Sequence, residues 1–199
     1  MIQPIWTIPA SSAFLRQRTT KVHSINQEVR QVAADLRDTW PTVSAYGIAA
    51  PQIGSRRRMF AYRHADREDE PPIILINPKI IRARGELKDY DGCLSVPGIY
   101  GETRRAAEIE VLALNERGEP VRLTFEGFDA RIIQHEVDHL EGVLFIDRVD
   151  DLDEFYTLET QEAVPEGEEG RYRRVPLTPE QREFIARERR PLPAYALTW

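Results

Sequence analysis

The sequence predicts an α+β fold, and three observations carry the prediction. An apolar stripe at helical spacing covers residues 24–40, a group of short strand-like runs lies between residues 59 and 125, and a second helical segment follows before a charged tail. Helix, strands, helix is the order of an α+β domain, because a parallel sheet would need strands and helices in alternation. At 199 residues, with 41% hydrophobic composition, the chain is long enough to bury a core as one domain.

Residues 1–20 are mixed in pattern and broken by proline, and they predict no element. In residues 24–40 the positions Ile25, Val29, Val32, Ala33, Leu36 and Trp40 fall on one helical face. Ser24 and Gln27 offer a capping box at its start, and Pro41 ends it. Residues 45–54 break both helical and strand periods and are rich in small side chains, which predicts a loop whose backbone approaches something closely. Strands are predicted over 59–63, 73–76, 79–82, 108–114 and 121–125, the last two joined by the turn Asn115-Glu116-Arg117-Gly118. The polar run 66–70 reads as a loop tip. Asp129 is a candidate N-cap for the second helix, Ile132, Ile133 and Val137 give it apolar positions, and Gly142 stops it. Residues 143–146 read as a buried strand or core segment. Residues 163–174 are charged and core-poor, as an extended linker would be. Thr178, Pro179 and Gln181 then start a short helix that Pro191 ends, with Phe184 and Ile185 to dock it.

Composition excludes several classes. Acidic residues outnumber basic ones by 33 to 27, which argues against a nucleic-acid partner, and the runs Arg56-Arg57-Arg58 and 187–190 read as solvated surface. Cys93 is the single cysteine, so no internal disulfide forms and nothing points to an oxidising compartment. Residues 1–14 do not have the pattern of a signal peptide, and no run is long enough for a membrane span. A cytoplasmic enzyme is the expectation.

The chemistry is concentrated in Gln134-His135-Glu136-Val137-Asp138-His139, which reads H-E-x-x-H. On a helix, side chains four apart share one face. His135 and His139 can therefore grip one metal ion, with Glu136 placed to take a proton from water. Two imidazoles are too few for a catalytic site, which takes three protein ligands and keeps one position open. The third could be a downstream carboxylate (Glu141, Asp147 or Asp150) or Cys93, which follows Gly92 in a turn-rich segment.

Three blocks stand in order: Ile48-Ala49-Ala50-Pro51-Gln52-Ile53-Gly54, Gly92-Cys93-Leu94-Ser95, and residues 134–142. Together they resemble the signature motifs of the peptide deformylase family, across residues 21–149. The resemblance implies antiparallel or mixed sheets packed around the helix bearing H-E-x-x-H. It implies a catalytic domain over 1–150 and leaves 151–199 as a charged C-terminal extension. It implies metal-dependent removal of the formyl group from N-formylmethionyl nascent peptides, in the setting of translation, with the ribosome as a candidate partner. Carried over by position, Cys93, His135 and His139 are the metal ligands and Glu136 is the general acid/base. Gln52 and the N–H of Leu94 hold the oxyanion, Tyr46, Gly47 and Gly92 bind the substrate backbone, and Ile132 lines the methionine pocket. The metal it implies is Fe(II), replaceable by zinc, nickel or cobalt.

Two positions depart from the family pattern. Ala45 stands where glycine is usual, and Asp91 where glutamate is usual, with Arg105 its candidate ion-pair partner. These departures motivate one alternative, a hydrolase of another formamide or peptide on the same site; the charged tail motivates a second, a catalytically weak binding paralogue.

Overall fold

A computed structural model of the chain describes residues 1–67, 69–160 and 172–194. The apolar stripe of the first long helix becomes α2 (Gln27–Thr39), which follows a single turn, α1 (Ser12–Leu15). Its N-cap is Asn26 rather than Ser24. The Asn26 side chain accepts the Val29 N–H at 3.0 Å, which satisfies one of the free donors that every helix start leaves. The stripe Val29, Val32, Ala33 and Leu36 is buried, and a 3-10 turn at Trp40–Thr42 closes the helix.

Residues 45–54 are not wholly loop. Gly47–Ala49 forms the short strand β1, and Ala50–Ile53 a 3-10 turn ended by Gly54 in the left-handed region, at φ 79°. The strands β2 (Met59–Tyr62) and β3 (Ile73–Arg84) follow. β3 fuses the two runs expected at 73–76 and 79–82. Asn77 sits at φ 52° within it, and its side chain bonds Val22 O at 2.7 Å and Val22 N at 2.8 Å, so a register shift replaces a break. β6 (Glu108–Leu114) and β7 (Pro120–Glu126) are the expected hairpin. β4 (Leu87–Cys93) and β5 (Val96–Arg105) are among the strands that escape the sequence pattern.

The strands make two antiparallel sheets. One runs β1-β2-β3-β6-β7. The other runs β4-β5-β8-β9, where β8 is Phe155–Thr160 and β9 is Tyr172–Pro176. The second sheet therefore crosses residue 150. The linker expected over 163–174 falls largely outside the described residues, and its last three positions lie in β9. The helix α4 (Pro179–Glu188) starts where the sequence signalled, with Thr178 and Gln181 forming a capping box, and Ile185 is fully buried. Residues 143–146 are buried but form no strand; a 3-10 turn occupies Phe145–Asp147. Among the described residues no helix is long and apolar enough to cross a membrane.

The layers follow from the strand alternation. Ile48, Met59, Ala61, Ile74 and Ile76 face α2. Ala49, Phe60, Tyr62, Leu75, Ile109, Val111 and Phe125 face the helix α3 (Gly127–Glu141). Eleven of the 15 residues of α3 are buried, so the helix is covered on nearly every side. It begins at N-cap Glu126, not Asp129. The Asp129 carboxylate is spent elsewhere, on His64 Nδ1 at 2.7 Å and the Ala65 N–H at 3.0 Å. Gly142 ends it, as expected, at φ 75°.

Candidate active site

A helix buried on most sides must pair every polar side chain it carries inward. His135 and His139 project from α3 toward the end of β4, which carries Cys93. Cys93 Sγ lies 3.2 Å from His139 Nε2, and one ligand atom from each of Cys93, His135 and His139 lies within 4.8 Å of the others. The carboxylates that competed with Cys93 on the sequence point elsewhere. Glu141 pairs with Arg18 and Arg58 at 2.7 Å each, Asp147 pairs with Arg16, and Asp150 pairs with Arg104 at 3.1 Å.

Asp91 sets this geometry. Its Oδ1 is 2.8 Å from His135 Nδ1, so that nitrogen donates to the carboxylate and the other ring nitrogen is left for the cluster. Its Oδ2 takes Arg105 Nη2 at 2.7 Å, Arg105 Nε at 2.9 Å and Thr103 Oγ1 at 3.0 Å. Arg105 is thus the partner that the sequence suggested. It also reaches Asp138 at 2.8 Å, and Arg148 grips Asp138 from the other side at 2.6 Å. Burial alone would raise the Asp91 carboxyl. Arg105 first and then His135 override it and hold it well below the usual carboxylate range. Burial likewise pushes the Cys93 thiol up, and the charge of His139 with the hydrogen bonds of both imidazoles brings it down to about 5. The thiol is therefore poised as thiolate, the form that ligates metal.

Glu136 lies between this cluster and β1. Burial pushes its carboxyl up to about 7. Its Oε2 is buried with no partner among the described residues. A Cβ at Gly47 would lie 2.5 Å from Glu136 Cδ, so glycine is required there by close approach. The Ala49 N–H donates to Gln52 Oε1 at 2.8 Å, which orients the amide. Gln52 Nε2 then faces Cys93 Sγ at 3.6 Å and Ser95 Oγ at 3.3 Å. The Leu94 N–H meets no acceptor among the described residues.

A cleft of about 440 Å³ opens over these groups. Tyr46, Gly47, Gln52, Gly92, Leu94 and Ile132 all line it, together with Cys93, His135 and Glu136. Ala45 lines it too, and its φ is outside the left-handed region, where Asn77 is the sole non-glycine among the described residues. The glycine usual at this position is not needed here for its backbone angle. One thiolate and two imidazoles suit a borderline divalent cation, and the unpartnered Glu136 oxygen beside them is placed for a water or substrate proton. The donor set fits a catalytic metal.

Sequence reasoning missed Arg131, Ser95 and the pair Asp138–Arg148. Arg131 lies one turn before His135 and ties α3 to the β4 and β5 backbones, at Tyr90 O (2.8 Å), Asp89 O and Thr103 O (2.8 Å). The signal in the sequence was charge inside a buried helix, since Arg131 and Asp138 need partners wherever α3 packs.

Residues 2–155 match the family described as polypeptide deformylase. A peptide deformylase of Thermomicrobium roseum is 44% identical over 142 residues, covering 69% of this chain and 81% of that protein. One from Aquifex aeolicus is 42% identical over 151 residues, covering 75% and 88%. Among solved structures, a peptide deformylase from Legionella pneumophila superposes with TM-score 0.71 at 29% identity, covering 94% of this chain and 93% of that one. A class I type b peptide deformylase from Acinetobacter baumannii with Met-Ala-Ser bound superposes with TM-score 0.66 at 31% identity, covering 75% and 99%.

Proposed function

The chain belongs to the polypeptide deformylase family, whose reaction is hydrolysis of the formyl group from N-formylmethionyl nascent peptides in protein maturation, and from that premise we propose which of its residues carry the reaction. The observation that carries the reading is the meeting of Cys93 with the two imidazoles of α3 beneath an open cleft.

Cys93, His135 and His139 hold one divalent ion, proposed as Fe(II), with zinc, nickel or cobalt able to replace it. When bound, it supplies a Lewis acid that makes water nucleophilic near neutral pH. The remaining work belongs to the chain's own groups. Glu136 accepts the proton of the attacking water and later delivers it to the leaving amine. The C–O bond forms at the formyl carbon, the C–N bond breaks, and formate and a free amino terminus result. A carboxyl pushed up to about 7 is matched to exchanging protons in both directions near neutral pH. As the formyl oxygen gains negative charge, Gln52 Nε2 and the Leu94 N–H donate to it, and loss of one such donor costs about 3 kcal/mol of barrier. Tyr46 and Gly47 on one wall and Gly92 on the other align the substrate backbone, and Ile132 lines the pocket for the methionine side chain. Met-Ala-Ser in the A. baumannii relative is the product that formyl-Met-Ala-Ser would leave, and that tripeptide is the proposed test substrate here. The setting is the cytoplasm, on chains emerging from the ribosome.

Formate release from formyl-Met-Ala-Ser by anaerobically purified protein tests the reading. Turnover is expected, and Glu136→Ala is expected to keep metal while losing roughly 1,000-fold in rate. Metal-loaded, folded protein that released no formate would overturn it.

A further inference from the structure

We propose that the outer face of the β4-β5-β8-β9 sheet is a docking platform for the substrate chain beyond its first three residues. This rests on the deformylase reading of the cleft and extends it. Strand register places one row of side chains on that face. Gly92 stands opposite Tyr100, Tyr100 opposite Tyr156, Leu158 opposite Arg174, and Thr160 opposite Tyr172, with Tyr90 two positions before Gly92. Four of the chain's 7 tyrosines thus share one surface.

The row is continuous with the cleft, because Tyr90 and Tyr100 line both. A Cβ at Gly92 would lie 2.7 Å from Tyr100 Cδ1, so the missing side chain lets that ring lie across β4, next to Cys93. Tyr100 stacks on Tyr156 with centroids 5.9 Å apart and planes at 19°. Arg174 caps Tyr156 with its guanidinium carbon 4.5 Å from the ring centroid. Beyond that stack the face is open, with Tyr90 44%, Leu158 38% and Tyr172 62% exposed.

The occupant follows from charge and length. Arg174 pairs with Glu102 at 2.7 Å and Lys88 pairs with Glu154, so the face presents rings and aliphatic edges rather than a net charge. That suits uncharged polypeptide. From β4 to β9 are three strand spacings, roughly 14 Å, or about four extended residues. A chain whose formylated end lies in the cleft crosses Tyr90 and Tyr100 first and reaches Tyr172 with about its seventh residue.

The test compares formyl-Met-Ala-Ser with a peptide of about eight residues that begins with the same three and continues with uncharged residues, leucine among them. The longer peptide is expected to show a KM roughly fivefold lower at equal kcat. A Tyr172→Ser, Arg174→Gln double variant, altered only at exposed positions, is expected to raise the longer peptide's KM to the tripeptide's value and leave the tripeptide's constants unchanged. Equal KM values for the two peptides in the unaltered protein would overturn the platform while leaving the tripeptide reaction standing. Absence of formate release from both would remove the underlying reading and the platform with it. A concentration-dependent dimer that the double variant abolishes, with no effect of peptide length, would assign the face to a second copy and overturn the proposal.

Discussion

Gly47→Ala puts the placement of Glu136 under direct strain. The added Cβ would stand 2.5 Å from Glu136 Cδ and 2.7 Å from Cγ, whereas ordinary contact begins at 3.4 Å. The carboxylate must then retreat by at least about 0.9 Å, and by more at Oε1, the atom nearest the added Cβ. Misplacing a reacting group by about 1 Å costs roughly 100-fold in rate. The fold should survive, since the displaced atoms border an open cleft rather than a closed core. Steady-state formate release with metal content measured on the same sample is the assay. A loss of about 100-fold in kcat with metal retained is expected. If the loss fell in KM alone, Gly47 would matter only for aligning substrate. A rate within about threefold of the parent would refute the reasoning, because it would show that the close approach does not position the base.

Three further outcomes follow from the same geometry. Gln52→Ala removes the donor that the Ala49 N–H orients, and a drop of roughly 100-fold in kcat is expected by steady-state kinetics. Asp91→Asn bears on acid stability, measured by urea unfolding between about pH 2 and 7. The Asp91 carboxyl is depressed in the folded chain, so the unfolded chain takes up its proton first on acidification. Its stabilisation is complete above about pH 4 and is lost as the pH falls further. The substitution is expected to cost about 3 kcal/mol at neutral pH and to flatten the acid limb of the stability curve, whereas an unchanged acid limb would contradict the assignment. Ala45→Gly is expected to leave turnover unchanged and to cost about 0.5 kcal/mol of stability, because Ala45 already sits comfortably outside the left-handed region.

The helices were legible where periodicity and apolar burial coincide. The stripe Val29, Val32, Ala33 and Leu36 gives α2, and Gly142 ends α3 where the sequence says it should. Caps were less legible, because several residues could serve and tertiary contacts chose among them. Asn26 prevailed over Ser24, and Asp129 was recruited by His64. β4 and β5 were invisible for a physical reason. β4 is an edge strand exposed from Leu87 to Tyr90, and past Val96 and Ile99 the inward positions of β5 are Gly101, Thr103 and Arg105 rather than aliphatic residues. A polar interior held by Asp91, Arg105, Asp138 and Arg131 leaves no alternation of hydrophobicity to read. Periodicity placed His135 and His139 on one face, whereas Cys93 as third donor came from the family resemblance, because its approach to the imidazoles depends on that polar interior and leaves no periodic trace.

The proposed chemistry requires one thiolate and two imidazoles to hold a single ion. X-ray absorption at the metal edge of anaerobically purified, metal-loaded protein tests this most directly. One sulfur with two imidazole nitrogens in the inner coordination sphere is the expected result, with the sulfur lost in Cys93→Ser. A coordination sphere of nitrogen and oxygen alone in the unaltered protein would contradict it.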